Sequence, residues 1–270
     1  MKKSLIALVL GSLIAAPVWA LSQEDVLIEK LEASGKLDAA LERALERRAA
    51  KEKQKREDET KAQEAAQRDA AKKVRPLGKT DRIYGAENAK ISIIVMSDPE
   101  CPYCQRLAGI PEKAVDQSEG LANAAIRLFP LDFHGQIAVD ASLLALCVAD
   151  QAGTRGYYAF YNGYLKTTRG NGQGLPRSKG QPAKAAMEKL LKTAGATDLK
   201  KLQTCQRADA TMKRLEAEFA DSVEAGATGT PYMILRNNET GAVKIMAGAA
   251  PVEALLAEIK TLTGKTPAAK

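Results

Sequence analysis

Two cysteines separated by two residues, Cys101 and Cys104, closely follow the apolar, β-branched run "AKISIIVMSD" (89–98). The run predicts a buried strand. Pro102 suits the first turn of a helix, which we predict over 102–118. At such a junction, unpaired backbone N–H groups and the positive end of the helix dipole stabilise a thiolate. A cysteine pair with this spacing can be half of a zinc site, a short structural disulfide or a redox couple.

The rest of the chain favours the redox couple. A zinc half-site needs a second cysteine pair or a Cys/His pair, but Cys147 and Cys205 lie far apart and His134 is the sole histidine. A structural bond across two residues would be strained and easily reduced. We predict that Cys101 attacks as the nucleophile and that Cys104 resolves the mixed disulfide. No metal or organic cofactor is expected.

The N-terminal 20 residues, "MKKSLIALVLGSLIAAPVWA", predict a signal peptide (1–20) cleaved after Ala20. An uncleaved membrane anchor is the alternative, disfavoured because the polar "SQED" follows at once. We expect no later segment to be long and apolar enough to span a membrane. The mature protein is thus predicted to be soluble and exported, to a Gram-negative periplasm. In that oxidising space an even cysteine count favours disulfides.

The net charge of the chain excludes few classes of binding partner. The formal net charge is +7, and residues 1–20 hold two lysines and no acid, so the mature value is 7 − 2 = +5. This permits acidic partners. No helix-turn-helix or aromatic-basic pattern accompanies it, so no nucleic-acid partner is predicted.

The composition changes near residue 75. Residues 22–73 contain no aromatic residue, and 47–61 is predicted to be an exposed helix or a flexible linker. The first part carries spaced leucines, interrupted at 34–36: Leu27, Leu31, Leu37, Leu41 and Leu45. Such short helices bury little surface alone. We therefore favour self-association of 21–75, as dimer or trimer, over its folding back on the remainder.

Residues 76–270 are predicted to form one α/β domain. Strands are expected in 89–98, 123–133, 230–237 and 242–248, a helical block over about 137–225, and a last helix over 251–262. Pro111 is expected to kink or divide the first helix. The order is β-α-β, then helices, then β-β-α.

Two motifs in this order resemble a known family. "SDPECPYC" (97–104) after a strand and "GATGTPYMIL" (226–235) are similar to those of the thioredoxin-fold thiol–disulfide oxidoreductases, in their periplasmic Dsb branch. The resemblance covers about 80–264. It implies a thioredoxin fold with a helical insertion, and a cis Pro231 preceded by Thr230 that offers backbone to a client. The alternative is an ordinary trans proline that begins a strand.

Within this branch, two positions resemble the DsbC/DsbG isomerases rather than the oxidases. Val95 stands where many oxidases have an acid, six residues before Cys101, and Thr230 precedes the proline as in those isomerases. The "DPECPYC" stretch is most similar to DsbG. The helical N-terminal segment departs from the α+β dimerisation domain of DsbC and DsbG, and resembles the trimer-forming stalk of ScsC-type copper-tolerance proteins.

The resemblance implies a protein disulfide isomerase or reductase acting on misoxidised or reduced periplasmic clients. By analogy, a membrane thiol reductase would keep it reduced. The first rival is a DsbA-like dithiol oxidase. A rival of another class is a holdase or copper-binding protein in which redox turnover is secondary.

Residues beside the cysteines are candidates for tuning the couple. Pro102 and Asp98 could adjust it; Asp98 could also cap the turn into the helix, which we favour. Glu100 would raise the pKa of the neighbouring thiol and oppose the helix dipole. Tyr103 is expected to present an exposed aromatic face to clients, with plain packing as the alternative.

The other cysteines lie on predicted helices of the insertion. A structural disulfide between Cys147 and Cys205 would staple that block. Two buried free thiols are the alternative, and export makes the bond the favoured interpretation.

Three further features have plainer interpretations. His134 is expected to be structural, with copper binding as the alternative. An aromatic set at i, i+3, i+4 and i+7 predicts the core face of a helix: Tyr157, Phe160, Tyr161 and Tyr164. The loop 167–182 holds no acid and carries Arg169, Arg177 and Lys179. It could steer acidic partners, but a solvated flexible loop is favoured.

Overall fold

The computed structural model of the chain describes residues 22–176 and 183–264. The predicted signal peptide and the last six residues of the basic loop, 177–182, lie outside the described residues. The chain divides into two compact units, Met1–Lys61 and Ala62–Lys270.

The first unit contains helix α1 (Gln23–Ala33) and most of α2 (Lys36–Ala71). Ser22 begins α1 with a capping box, in which its side chain and that of Asp25 each accept the other's backbone N–H. The stretch 47–61, left open between helix and linker, is helical. Several apolar side chains of this unit are exposed: Val26, Leu27, Ile28, Leu31, Leu37, Leu41 and Leu45.

A five-stranded sheet forms the centre of the second unit. Its strands are β1 (Tyr84–Gly85), β2 (Ile91–Ser97), β3 (Ala122–Leu128), β4 (Tyr232–Asn237) and β5 (Val243–Ala247). The order is β1-β3-β2-β4-β5, in which only β2 and β3 run parallel. Every residue of β2 and β3 is buried. The apolar run predicts this for β2, whereas β3 also buries Asn123 and Arg127. The two-residue β1 was not predicted, because it is too short to show a period.

Seven α-helices lie in the described part of this unit after the first strand, besides a short 3-10 helix at Asp132–His134. They are α3 (Pro102–Gln105), α4 (Ile110–Asp116), α5 (Gly135–Thr167), α6 (Ala183–Ala194), α7 (Leu199–Gln206), α8 (Asp209–Glu224) and α9 (Val252–Leu262). The predicted helix over 102–118 is divided, as Pro111 indicates. Gly109, with φ of +82°, precedes α4, and Pro111 lies in its first turn.

The long insertion helix α5 corrects one expectation. The segment Asp132–Thr167 is long and apolar enough to cross a membrane, which corrects the expectation that no segment after the signal peptide is. Half of the most apolar 18-residue stretch of this segment is buried inside the protein. Gly153 interrupts the helical geometry of α5. Its aromatic set, predicted as a core face, is buried: Tyr157, Phe160, Tyr161 and Tyr164. The apolar side chains of α5 therefore form part of the hydrophobic core.

The second unit begins before the predicted boundary near residue 75. Ala71 and Val74 are buried in a cluster with Ile94 and Tyr232. A Cβ on Gly226 would lie 2.8 Å from that of Ala70. The small apolar residues at the end of α2 thus belong to the core of the second unit, which the composition of 22–73 concealed.

Candidate active site

The two cysteines stand where β2 turns into α3. Cys101 is the N-cap of α3, and its carbonyl oxygen accepts the N–H groups of Cys104 and Gln105. Both thiols are free and buried, with 3% of Cys101 and none of Cys104 exposed. The strand–cysteine–helix arrangement is the one that the sequence predicts.

The second motif lies against the first. The Thr230–Pro231 peptide bond is cis, and the Cys101 thiol donates a hydrogen bond to the carbonyl oxygen of Thr230 at 3.3 Å. The pairing of β4 with β2 explains this. Met96, near the end of β2, lies opposite Tyr232 at the start of β4, so the loop before β4 reaches the residues after β2.

The two sulfurs differ sharply in acidity. A hydrogen bond from the Cys104 thiol lowers the pKa of Cys101 to about 6, against the effect of burial. Thr230 and the backbone N–H groups of Tyr103 and Cys104 lower it further. The buried Thr230 hydroxyl has no hydrogen-bond partner among the described residues. Burial, and then the Cys101 sulfur, raises the pKa of Cys104 well above its usual value. At neutral pH Cys101 is therefore the thiolate and Cys104 the thiol.

Asp98 is fully buried in the turn before the cysteines. Its carboxylate accepts the N–H groups of Glu100 and Leu131, each at 2.7 Å, and lies 2.7 Å from Nδ1 of His134. Burial raises its pKa, and these hydrogen bonds oppose that shift. Asp98 thus caps the turn that leads into α3, while Cys101 occupies the N-cap of the helix itself.

His134 is buried as the partner of Asp98, a position that fits the structural interpretation. In the part of the chain that the structure describes, no three or more histidine, cysteine or acidic side chains are placed to hold a metal ion. The neighbouring Phe133 is 79% exposed.

Glu100, next to Cys101, connects the site to the glycine-rich loop. Its buried carboxylate accepts hydrogen bonds from the hydroxyls of Tyr164 and Thr168, each at 2.7 Å, and from the N–H of Gly174 at 3.0 Å. Its carbonyl oxygen accepts the N–H of Asn171 at 2.7 Å. From the sequence alone, this acid is expected only to act as a charge beside the thiol.

The described part of that loop, 167–176, is therefore packed against the site, which corrects the expectation of a solvated flexible segment. Thr168, Gly170, Gly174 and Leu175 are buried. A Cβ on Gly170 would lie 3.3 Å from the ring of Pro102, so a larger residue would crowd the first turn of α3. Arg169 is exposed, as predicted for a basic residue of this loop.

Tyr103 and Pro102 occupy the surface turn between the cysteines. Tyr103 is 59% exposed, and the guanidinium of Arg106 lies over its ring, 5.3 Å from the centroid. Pro102 lies in the first turn of α3, where its missing N–H costs nothing.

The remaining cysteines form a disulfide. Cys147 on α5 and Cys205 on α7 are joined across 58 residues of sequence, with Cα atoms 5.8 Å apart. The structure therefore has a disulfide at these two positions, and not two buried free thiols.

Sequence reasoning missed the polar side chains that surround the site from the insertion. Tyr164, Thr168 and Gly174 hold Glu100, and Tyr161 donates a hydrogen bond to the Ser97 hydroxyl at 2.8 Å. These residues lie 64 or more positions from the Ser97 and Glu100 that they contact, so no local pattern links them. Ser97 alone could have been found, as the last polar residue of β2.

Residues 78–248 match the family model described as Thioredoxin, nearly two thirds of the chain. The chain belongs to the thioredoxin family. The predicted thioredoxin fold with a helical insertion is thereby confirmed. No curated protein sequence gives a significant match.

Solved structures of Dsb-type proteins resemble the chain. DsbA2 of Pseudomonas aeruginosa is 25% identical, with a TM-score of 0.56, and the match covers 70% of this chain and 97% of that one. A linker-deletion variant of Proteus mirabilis ScsC is 18% identical, with a TM-score of 0.59 and coverage of 93% and 100%. A periplasmic thioredoxin-like protein of Salmonella enterica serovar Typhimurium is 20% identical, with a TM-score of 0.53 and coverage of 72% and 95%.

The family and its neighbours agree with the chemistry of the cysteine pair. The chain is a thioredoxin-fold protein of the Dsb type, and thiol–disulfide exchange is its class of reaction. The DsbC/DsbG likeness inferred from the motifs stays a prediction.

Proposed function

We propose that the protein is an exported protein disulfide isomerase or reductase that acts through Cys101 and Cys104. The observation that carries this proposal is the unequal pair of sulfurs, with Cys101 ionised near pH 6 and lying against the cis-proline loop. A thiolate is the attacking species in disulfide exchange, and one with a low pKa is present at neutral pH.

The reaction begins when the Cys101 thiolate attacks a client disulfide. A bond forms between Cys101 Sγ and one client sulfur, and the other client sulfur leaves with the electron pair. In isomerisation the freed client thiolate attacks another bond of the client, and Cys101 is regenerated as a thiolate. In reduction Cys104 attacks Cys101 Sγ, the client leaves as a dithiol, and the enzyme becomes oxidised.

Clients are proposed to bind beside the cis-proline loop. When Cys101 is protonated, its thiol donates a hydrogen bond to the Thr230 carbonyl. When that hydrogen is absent, the carbonyl is free to accept a client N–H. Pro231 donates no hydrogen bond and leaves that backbone edge open. The exposed ring of Tyr103 would add apolar contact.

The proposed function also requires export, self-association and an electron donor. Cleavage after Ala20 would deliver the protein to the periplasm, and the exposed leucines of α1 and α2 would join two or three copies. A membrane thiol reductase is the proposed electron donor. An oligomer suits an isomerase, because several sites then surround one client.

A DsbA-like dithiol oxidase is the second candidate. The 25% identity with DsbA2 of Pseudomonas aeruginosa favours it. The apolar Val95 in place of an acid, and Thr230 before the proline, favour the isomerase.

Refolding of scrambled ribonuclease separates the two candidates. The intact protein, held reduced, is expected to restore ribonuclease activity, and Cys101→Ser is expected to abolish the effect. A chain lacking 22–61 should retain thiol exchange and lose isomerisation. This deletion stops before Ala71 and Val74, which the second unit buries. If the intact protein rapidly oxidises reduced ribonuclease but cannot rescue the scrambled form, the oxidase is the correct assignment.

A further inference from the structure

The glycine-rich loop after α5 is fixed against the first turn of α3. The hydroxyl of Thr168 donates to the buried carboxylate of Glu100 at 2.7 Å, and the carbonyl oxygen of Thr168 accepts the side-chain N–H of Gln105 at 3.1 Å. The N–H of Asn171 donates to the carbonyl oxygen of Glu100 at 2.7 Å. Arg169 lies between these contacts in the chain, so the fold holds it beside the cysteine pair.

Two arginines place positive charge on the surface around Cys101. Arg169 is exposed, and its guanidinium donates to the carbonyl oxygen of Gln173 at 2.7 Å. Arg106, exposed at the C-cap of α3, lies over the ring of Tyr103 at 5.3 Å from the centroid. Among the described residues, neither guanidinium forms an ion pair with a carboxylate. Both charges are therefore available to a partner.

The acids next to the cysteines do not balance these arginines. Asp98 and Glu100 are fully buried, and each carboxylate is occupied by hydrogen bonds inside the fold. No acid occurs in the three segments that contain or contact the Cys101 turn, which are 101–111, 167–176 and 225–238. These segments therefore contribute cations and no anion to the surface around the reactive sulfur.

We propose that Arg106 and Arg169 select clients that carry aspartate or glutamate beside the cysteine to be exchanged. This inference rests on the proposed exchange through Cys101 and names the substrate class of that site. A client carboxylate near the reacting disulfide would pair with a guanidinium while the client sulfur meets the thiolate. The two positive charges outweigh the single negative charge of the thiolate, so the site attracts an acidic segment.

The fixed positions of both arginines favour such a pairing. The loop that carries Arg169 is already ordered by its hydrogen bonds to Glu100, and the ring of Tyr103 supports the guanidinium of Arg106. A client therefore needs to order little of the protein when it binds, and less of the ion-pair free energy is offset by lost conformational entropy. Exposed pairs of this kind change rates several-fold, and salt weakens them.

Exchange with three synthetic peptides tests the proposal. Each peptide carries one internal disulfide, and the peptides differ only in the two residues that flank the first cysteine, which are glutamate, glutamine or lysine. The reduced full-length protein is mixed with each peptide at neutral pH, quenched with acid and analysed by mass spectrometry. At low salt the glutamate peptide should react about tenfold faster than the glutamine peptide, and the lysine peptide more slowly than either. The ratio should fall toward one in about 0.5 M salt.

Substitution of the arginines should reduce this ratio. Arg106→Gln and Arg169→Gln should each lower the ratio about threefold, and the double variant should bring it close to one. Arg169→Lys keeps the charge and should retain most of the preference, which a purely structural role in the loop would not allow. Arg155→Gln is the matched control, because Arg155 is also exposed and lies about 18 Å before the end of α5.

A ratio of rates separates the charge effect from the reactivity of Cys101, because a change in thiol acidity acts on all three peptides alike. Uncharged 2,2′-dipyridyl disulfide tests the exchange itself, and a protein inert toward it would refute the proposed function together with this inference. If that reaction is intact, equal rates for the glutamate and glutamine peptides overturn the inference alone.

The variants provide further outcomes that would overturn the role of the arginines. One is a double variant, Arg106→Gln/Arg169→Gln, that keeps the preference for the glutamate peptide. Another is an Arg169→Lys protein whose ratio is as low as that of Arg169→Gln. A third is an Arg155→Gln protein that loses the preference to the same extent as Arg169→Gln.

Discussion

The thiol of Cys101 donates its hydrogen to the carbonyl oxygen of Thr230 across 3.3 Å, although 129 residues separate the two in the chain. The contact exists because β4 pairs antiparallel with β2, so that the loop entering β4 meets the turn leaving β2. The reactive sulfur and the backbone proposed to bind the client are thus positioned by the same strand pairing.

Alkylation kinetics should show the acidity of Cys101 directly. Because the pKa of this thiol is lowered to about 6, the iodoacetamide rate of the reduced protein should reach half its maximum near that pH, against about 8.5 for an ordinary cysteine. Cys104→Ala should raise the midpoint, since the Cys104 hydrogen bond is the largest cause of the shift. A midpoint near 8.5 in the unmodified protein would contradict the assignment.

The stability of the reduced protein should depend on pH through the same group. Folded Cys101 releases its proton near pH 6, whereas the unfolded thiol keeps it to about pH 8.5. Between these values the unfolded chain binds more protons, so the free energy of unfolding rises with pH and is lost again as pH falls through 6. Urea midpoints of the reduced protein and Cys101→Ser should therefore diverge from pH 5.5 to 8.5. A constant difference would exclude this linkage.

Removing the carboxylate of Glu100 should destabilise the fold. Glu100→Ala leaves the hydroxyls of Tyr164 and Thr168 and the N–H of Gly174 without their acceptor in a buried place. We expect a loss of about 2–4 kcal/mol in urea unfolding, with faster hydrogen exchange at Gly174. Glu87→Ala, at an exposed position, should change stability by less than about 0.5 kcal/mol. Equal effects of the two substitutions would refute the anchoring role.

Loss of the insertion disulfide should cost stability and leave the reactive pair unchanged. The Cys147–Cys205 bond joins residues that are 58 positions apart. For a loop of that length, the lost entropy of the unfolded chain corresponds to about 4 kcal/mol of stability. Denaturation of the oxidised Cys147→Ala/Cys205→Ala double variant should approach that loss. The alkylation midpoint of Cys101 after reduction should not move. A shift of that midpoint would show that the disulfide acts on the active site.

The exposed leucines of the first unit should decide the oligomeric state. Leu41 is 57% exposed, and Leu41→Glu should shift the mass measured by light scattering toward the monomer, because a charge cannot be buried between helices without a partner. Gln54→Glu, farther along α2, adds the same charge to a polar stretch and should have no effect. A monomeric unmodified protein would rule out self-association.

Local patterns of the sequence determined several secondary-structure elements of this protein and one buried helix face. The β-branched run before Cys101 and the proline within the pair predicted the strand and the start of the helix, because each depends on neighbouring residues alone. Pro111 likewise predicted the break between α3 and α4, and the spacing of Tyr157 and Tyr161 predicted a buried face.

Only the tertiary structure decided which distant groups meet the sulfurs. Burial of Glu100 under Tyr164 and Gly174, and the contact of Tyr161 with Ser97, join residues more than 60 positions apart. No local period encodes such pairs, because they arise when the insertion helix α5 packs over the end of β2. The acidity of Cys101 depends on strand pairing as well. Its pKa is lowered by hydrogen bonds from Cys104 and Tyr103, and by Thr230, which the pairing of β4 with β2 places beside them.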